Sequence, residues 1–153
     1  MKKLFIMLVA IGILAAAGSA MASGTNTLTV TAAVAGTCKF SSGTSTLAFG
    51  TLDPSVGTDV SGSGTTQFWC TKGTTESISA GNGANYDGSK RNMLDSVSGD
   101  KIPYTLTLTP DGNPNAGPGS PRTLTIGGQV LGTDYTAKSA GSYSDTVTLS
   151  ITP

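Results

Sequence analysis

Alternation of apolar and polar residues is the main structural signal in this chain of 153 residues. Near the start, one side of an extended backbone would carry four apolar side chains, Leu28, Val30, Ala32 and Val34. A period of two residues predicts a β-strand with one apolar face. The strand precedes the first cysteine, and two interpretations stay open. It is either the first strand of its own domain or a strand that completes the sheet of a neighbouring copy.

Similar alternation recurs along the chain and predicts several short strands. The segments with the clearest pattern are 47–49, 66–70, 76–80, 104–109, 124–131 and 143–152. Turn-forming residues separate them, and no segment after the first 22 residues has the spacing of an amphipathic helix. This organisation predicts an all-β domain in which two antiparallel sheets pack face to face.

Glycine and proline lead to more specific expectations. Residues 57–64 are rich in glycine and serine and are expected to form a connection with little to bury. Gly127-Gly128 interrupts the apolar pattern of 124–131, which predicts a bulge or a bend. Pro103 is expected to be the first residue of a strand, where a missing N–H is tolerated.

The first 22 residues have the composition of a secretory signal peptide. Lys2 and Lys3 precede an apolar run, and Ala20 and Ala22 supply small residues at the positions that a signal peptidase reads. The run is shorter than the roughly 20 residues that span a bilayer. We therefore expect cleavage between Ala22 and Ser23 and export of the mature chain.

Composition and charge argue against several functions. Without Lys2 and Lys3 the chain has seven basic and nine acidic residues, and no basic cluster would attract nucleic acid. There is no histidine, which removes the usual general base and the commonest metal ligand. Residues 81–88 contain Asn and Asp but lack the order of an EF-hand loop, so a solvated turn is expected there. We expect neither enzyme activity nor a metal or other cofactor.

Cys38 and Cys70 are the two cysteines of the chain, and export would place them where disulfides persist. They lack the C-x-x-C spacing of a redox pair, and two cysteines without histidine do not make a usual zinc site. We predict a structural disulfide. Closing a loop of about 33 residues would stabilise the fold by about 3.5 to 4 kcal/mol in the chain-entropy model.

Six short segments carry a family resemblance, and together they cover nearly the whole mature chain. They are the region around Cys38 and the segments 47–50, 68–73, 91–94, 103–106 and 141–149. The most specific is the last, Gly-Ser-Tyr-Ser-Asp-Thr-Val-Thr-Leu. In this order and spacing they resemble the spore coat U family of secreted domains, which includes the pilins of archaic chaperone–usher pili.

The resemblance implies an immunoglobulin-like antiparallel β-sandwich that lacks its last strand. In such pilins a periplasmic chaperone first lends a strand to the gap. At the outer-membrane usher, the N-terminal extension of the next subunit replaces it. The implied division of this chain is a signal peptide (1–22), a donor-strand extension with its linker (23–36) and a pilin domain (37–153). The chain stops at Pro153 after its last strong strand, so no later segment is expected to pair with that strand's outer edge.

The resemblance also assigns roles to residues. Those that match the groove-filling donor strand are Leu28, Val30, Ala32 and Val34. Those that match the edge strand of the acceptor groove are Val147, Leu149 and Ile151. A family disulfide corresponds to Cys38 and Cys70.

The expected function is a structural pilus subunit that polymerises by donor-strand complementation and serves surface attachment and biofilm formation. Its expected partners are neighbouring subunits, a periplasmic chaperone and an outer-membrane usher. Head-to-tail insertion does not close on itself, so the product would be a filament on the cell surface. The alternative is a self-associating secreted spore-coat or surface protein that does not use an usher.

Overall fold

The computed structural model describes residues 23–153, so the predicted signal peptide, including Ala22, lies outside the described residues. The described chain divides between Ala33 and Val34, and Val34–Pro153 forms one unit. That unit contains every strand assigned in residues 23–153. None of the helices in this described part is both long and apolar enough to cross a membrane.

Within residues 34–153, seven strands and one short helix follow one another along the chain. They are β1 (Cys38–Phe40), β2 (Val60–Cys70), β3 (Ser77–Ala80), β4 (Arg91–Leu94), β5 (Lys101–Pro110), β6 (Arg122–Val130), α1 (Gly132–Tyr135) and β7 (Leu149–Thr152). Five strands form an antiparallel sheet in the order β1-β2-β6-β5-β4, and β3 pairs with β7 in a second antiparallel sheet. The prediction of an all-β domain with two antiparallel sheets is confirmed.

The core consists of two clusters of buried side chains. The first is made by Phe68, Cys70, Leu124 and Ile126, and residues from both β3 and β7 pack against it. The second is made by Ile102, Tyr104, Val130 and Tyr135. Inward residues alternate with outward ones along β2 and β6, as the pleat of a strand requires. Burial of each large apolar side chain contributes about 1.5 to 3 kcal/mol.

The expected connection at 57–64 is wrong for most of its length, because β2 already begins at Val60. Gly62 and Gly64 pair in regular register with β6. A Cβ on Gly62 would lie 2.7 Å from the carbonyl oxygen of Ala48, and one on Gly64 would overlap the carbonyl oxygen of Thr46. Glycine is needed here because another segment of backbone crosses this strand at close range.

The bulge expected at Gly127-Gly128 is also wrong. Both glycines keep regular antiparallel pairing with β2 on one side and β5 on the other. A Cβ on Gly128 would lie 2.8 Å from Cδ2 of Leu47 and 3.0 Å from Cζ of Phe49. The missing side chain therefore makes room for Leu47 and Phe49, and the strand keeps its register without a bulge.

Replacing Gly64 by alanine is expected to destabilise the domain by about 1 to 3 kcal/mol, because the added methyl group displaces the backbone at Thr46. Urea unfolding of the two proteins measures the difference. Gly119→Ala is the matched control, since no atom lies within 4 Å of a Cβ at that position. Equal losses in the two variants would contradict the close crossing.

Three other segments differ from the sequence-based expectation in detail. Pro103 is the third residue of β5, and pairing with β6 begins only at Thr105, so the proline interrupts no ladder on that side. Arg91–Leu94, which the sequence pattern left unassigned, pairs with β5 as β4. The last strand is shorter than the pattern 143–152 predicts, although the residues before Leu149 keep the alternation of half-buried and exposed side chains.

Candidate functional site

A groove opens between two segments that lie almost entirely outside the sheets. One wall is the segment 45–49, which crosses the glycines of β2, and the other is the segment 143–149, which leads into β7. Tyr104, Leu106 and Ile126 are among the residues between the walls. The cavity has a volume of about 250 Å³. We refer to it as the groove.

The groove continues into a wider cavity of about 740 Å³, which we call the wide end. The two cavities share Leu47, Phe49, Met93 and Tyr143. The wide end also includes the segment 138–142 and two members of the second core cluster, Ile102 and Tyr135. The groove and the wide end therefore form one continuous depression.

Some backbone polar groups on each wall are unpaired. The carbonyl oxygens of Thr146 and Thr148 accept hydrogen bonds from the segment 81–84, at 3.0 and 2.8 Å. Successive residues of an extended chain point their backbone groups to opposite sides, so those of Val147 point the other way. Within residues 23–153, neither Val147 nor the segment 45–49 has a backbone hydrogen-bond partner. Both walls therefore offer the free N–H and C=O groups of an open sheet edge.

A hydrogen-bonded polar pair, Tyr104 and Asp145, interrupts the apolar lining of the groove. The Tyr104 hydroxyl donates to Oδ2 of Asp145 at 2.7 Å, and the backbone and side-chain N–H groups of Asn85 donate to Oδ1 at 3.1 Å. Burial raises the pKa of Tyr104, and the hydrogen bond to Asp145 raises it further. The phenol therefore stays protonated at neutral pH and remains a donor to the carboxylate.

The segment 141–149, the most specific part of the family resemblance, builds one wall of the groove. A Cβ on Gly141 would lie 2.6 Å from Oδ2 of Asp95, so only glycine fits closely there. The backbone of Ser144 exchanges two hydrogen bonds with Leu94, at 2.9 and 3.1 Å. These contacts hold the wall against β4. They explain why the motif combines a glycine with the alternating pattern of an extended chain.

The predicted acceptor residues do not all occupy equivalent places. Val147 and Leu149 line the groove and are half-buried. Ile151 is opposite Ile78 in the pairing of β7 with β3, and it packs against the first core cluster. Among residues 23–153, β7 is hydrogen-bonded to β3 alone, so the backbone groups on its other edge pair with no strand.

The segment 27–34 is assigned to no strand, helix or turn. Leu28, Val30 and Val34 are 83%, 82% and 86% exposed, and Ala32 is exposed as well. The first strand of the domain is β1, so in this structure the segment does not serve as the first strand of its own domain. Rows of exposed apolar side chains are typical of interaction surfaces.

Cys38 and Cys70 form the predicted disulfide, with an S–S distance of 2.00 Å. It joins the first residue of β1 to the last residue of β2. Next to it, the Thr71 hydroxyl accepts from the Thr37 N–H at 3.0 Å and lies 3.2 Å from the carbonyl oxygen of Ala35. The linker between the segment 27–34 and β1 is therefore held at a fixed point of the domain.

Sequence reasoning missed a buried ionic cluster on the Arg122 side chain. Its guanidinium pairs with Glu76, directly before β3, and with Asp111 at 2.9 Å. The amide of Asn115 is hydrogen-bonded to both Glu76 and Arg122. The Thr123 N–H and then the Arg122 guanidinium hold the pKa of the Asp111 carboxyl well below its usual range. Because Arg122 belongs to β6, the cluster connects the two sheets.

The loop 81–88 contains a compact hydrogen-bonded turn. Oδ1 of Asp87 accepts from the backbone N–H groups of Lys90 and Ser89, at 2.7 and 2.9 Å. The hydrogen bonds from Lys90 and then Ser89 lower the pKa of Asp87 to about 2. In the described part of the chain, no three Asp, Glu, Cys or His side chains are grouped as metal ligands. The carboxylate here is already used to shape the turn.

The fold and the groove together define an antiparallel β-sandwich that is open along one edge, preceded by an exposed alternating segment. Residues 24–150 match the Spore Coat Protein U domain, so the chain belongs to this family. The family resemblance predicted from the sequence is confirmed. No curated protein is significantly similar to the chain in sequence.

One solved structure to which the chain is similar is the CsuC–CsuE chaperone–tip adhesion subunit pre-assembly complex from archaic chaperone–usher Csu pili of Acinetobacter baumannii. The TM-score is 0.43 at 15% sequence identity. The similarity covers 77% of this chain and 40% of that chain, so this chain spans less than half of the length it is compared with.

Proposed function

We propose that this protein is a structural subunit of a chaperone–usher pilus, and that residues 27–34 of one subunit complete the β-sandwich of the next. One observation carries the proposal: a groove whose two walls have unpaired backbone groups and an exposed alternating apolar segment occur in the same chain. Membership of the spore coat protein U family supports it, because the resemblance to archaic pilins lies within this family.

An inserted strand supplies partners for the free backbone groups of the walls and covers the apolar side chains between them. Its backbone pairs with the free groups of the walls 45–49 and 143–149, as in other cases of strand addition. Its apolar face covers Leu106 and Ile126 on the floor. At about 25 cal/mol per Å², burial of the exposed donor side chains contributes several kcal/mol in addition to the backbone pairing.

The position of the linker favours donation to another copy. Thr71 holds Ala35 and Thr37 beside the disulfide, and the three residues Ala35-Gly36-Thr37 are too few to carry the segment 27–34 back across its own sandwich. Because donor and acceptor are different surfaces of one chain, each added subunit exposes a new donor or acceptor. Such a contact propagates and gives a filament instead of a closed dimer.

The proposal includes the route to the cell surface. A periplasmic chaperone covers the groove of the unassembled subunit, and an outer-membrane usher exchanges the chaperone strand for the segment 27–34 of the next subunit. The resulting surface pilus serves attachment and biofilm formation, which is a structural and not a catalytic task. A secreted surface protein that self-associates without an usher would use the same groove, so dependence on a chaperone separates the two.

Replacing residues 23–34 by a Gly/Ser linker of equal length is expected to abolish fibres while the subunit is still recovered in a one-to-one complex with its chaperone. Co-expression, co-purification and electron microscopy measure the two properties. The matched control replaces Thr27, Thr29 and Thr31 by serine and keeps the apolar face, so it should assemble like the natural chain. Fibres from the linker variant would refute the proposal.

A full chain that folds as a stable monomer without chaperone, with every strand edge protected from hydrogen exchange, would favour the secreted alternative.

A further inference from the structure

We infer that the polar pair, Tyr104 and Asp145, sets the register of the inserted strand by requiring the small side chain of Ala32 opposite it. The inference rests on the proposed function, and it specifies which donor residue occupies which point of the groove. It follows from the order of side chains along the wall and along the donor segment.

The wall and the donor segment have matching periods. Half-buried wall residues that line the groove occur at every second position, at Tyr143, Asp145, Val147 and Leu149. The donor segment has four apolar residues with the same spacing, Leu28, Val30, Ala32 and Val34. Two strands with a period of two can pair in registers that differ by two residues, and apolar character alone does not choose among these registers.

The polar pair makes one wall position different from the other three. The carboxylate of Asp145 already accepts hydrogen bonds from Tyr104 and Asn85, and it lines the groove next to the apolar positions Tyr143 and Val147. A valine or leucine side chain placed against it would exclude water from the remaining lone pairs without replacing the lost hydrogen bonds. Alanine has the smallest side chain of the donor set and leaves the most room there.

Placing Ala32 opposite Asp145 also decides the direction of the strand. In the antiparallel direction, Val34, Val30 and Leu28 then face Tyr143, Val147 and Leu149. All three are apolar cross-strand pairs of the kind that stabilise a sheet. In the parallel direction the same placement of Ala32 leaves Leu28 opposite Gly141, which has no side chain to pack against. The antiparallel register is the one that satisfies all four positions.

Ala32→Leu is expected to reduce the fraction of subunits in fibres by about ten-fold or more, because the larger side chain meets the polar pair. The matched control is Val30→Leu, which enlarges an apolar position opposite Val147 and should change assembly by less than about three-fold. Sedimentation of assembled material measures the fraction. Neither change affects folding of the subunit, because both residues lie outside every strand of their own domain. Equal assembly of the Ala32→Leu variant and the natural chain would overturn the inference.

Cysteine pairs in the full chain test the register directly. Residues directly opposite each other in an antiparallel pair have Cβ atoms about 4.5 to 5.5 Å apart, near the range of a disulfide. The pair Val30→Cys with Val147→Cys should link subunits into a ladder on a non-reducing gel. The pair Val30→Cys with Leu149→Cys, shifted by two residues, should not. If the shifted pair links the subunits and the first pair does not, the register is overturned and donor-strand assembly still stands. If the natural chain forms no fibres, the proposed function itself is refuted.

Discussion

Replacing Val30 by aspartate is expected to abolish assembly into fibres, whereas aspartate at the adjacent Thr29 is expected to leave it nearly unchanged. Val30 belongs to the apolar face that we propose enters the groove, where a carboxylate would lose its water without gaining a cationic partner. An uncompensated charge in such a place costs several kcal/mol. Thr29 lies on the opposite face, so its substitution adds a charge that water still reaches. Electron microscopy and sedimentation of the released subunits measure the outcome.

The two aspartate variants carry the same net charge and differ by one position in the chain. Their unfolding curves should coincide with that of the natural subunit, because the segment 27–34 is part of no strand of its own domain. Fibres formed by the Val30→Asp variant would show that the apolar face is not what enters the groove. Loss of fibres in both variants would instead show that the added charge prevents assembly, whichever face of the strand carries it.

Replacing both Cys38 and Cys70 by alanine is expected to lower the free energy of unfolding by about 3.5 to 4 kcal/mol. The disulfide closes a loop across a sequence separation of 32 residues and restricts the unfolded chain accordingly. This is a large fraction of the 5 to 15 kcal/mol that stabilises a typical domain. Urea unfolding at constant temperature measures the loss.

The control for the double alanine variant is the natural chain under reducing conditions. If the stabilisation comes from loop closure, reduction should produce nearly the same loss as the substitution. A loss below about 1 kcal/mol in both samples would contradict the chain-entropy account. A large loss only in the alanine variant would assign the effect to packing of the two sulfur atoms in the first core cluster.

The sequence predicts the fold well where side chains alternate. The second half of β2, around Phe68, and most of β5, around Leu106, have apolar residues at every second position, and both segments are strands. The disulfide is predicted because cysteine number and compartment leave few alternatives. These features depend on local pattern and composition, which a single sequence contains.

Glycine-rich strands were not predictable by the same reasoning. Gly62, Gly64 and Gly128 have no side chains, so they add nothing to a pattern of apolar and polar positions. Their role depends on the segment 45–49, which passes over them and is distant in sequence. That segment contains only two large apolar residues, and its place as a wall of the groove follows from packing and not from local propensity.

The candidate site was likewise predicted only in part. The apolar face that we propose as the donor was visible because four residues alternate, and one wall of the groove was visible at Val147 and Leu149 for the same reason. The polar pair was not visible in the sequence, since Tyr104 and Asp145 meet only in the folded chain. Arg122 carried a signal that could have been used: it is in phase with the buried Leu124 and Ile126, and a charged residue at an inward position needs a buried counter-ion.

The place of the disulfide has a mechanical consequence for any fibre joined through residues 27–34. Tension on that segment enters the domain at Cys38, the end of a strand only three residues long. Such a strand would peel away bond by bond under a steady pull. The covalent link to Cys70 carries the force past it into β2, which is paired over most of its length with β6. While the disulfide is intact, tension on the segment 27–34 therefore cannot separate the start of β1 from the end of β2.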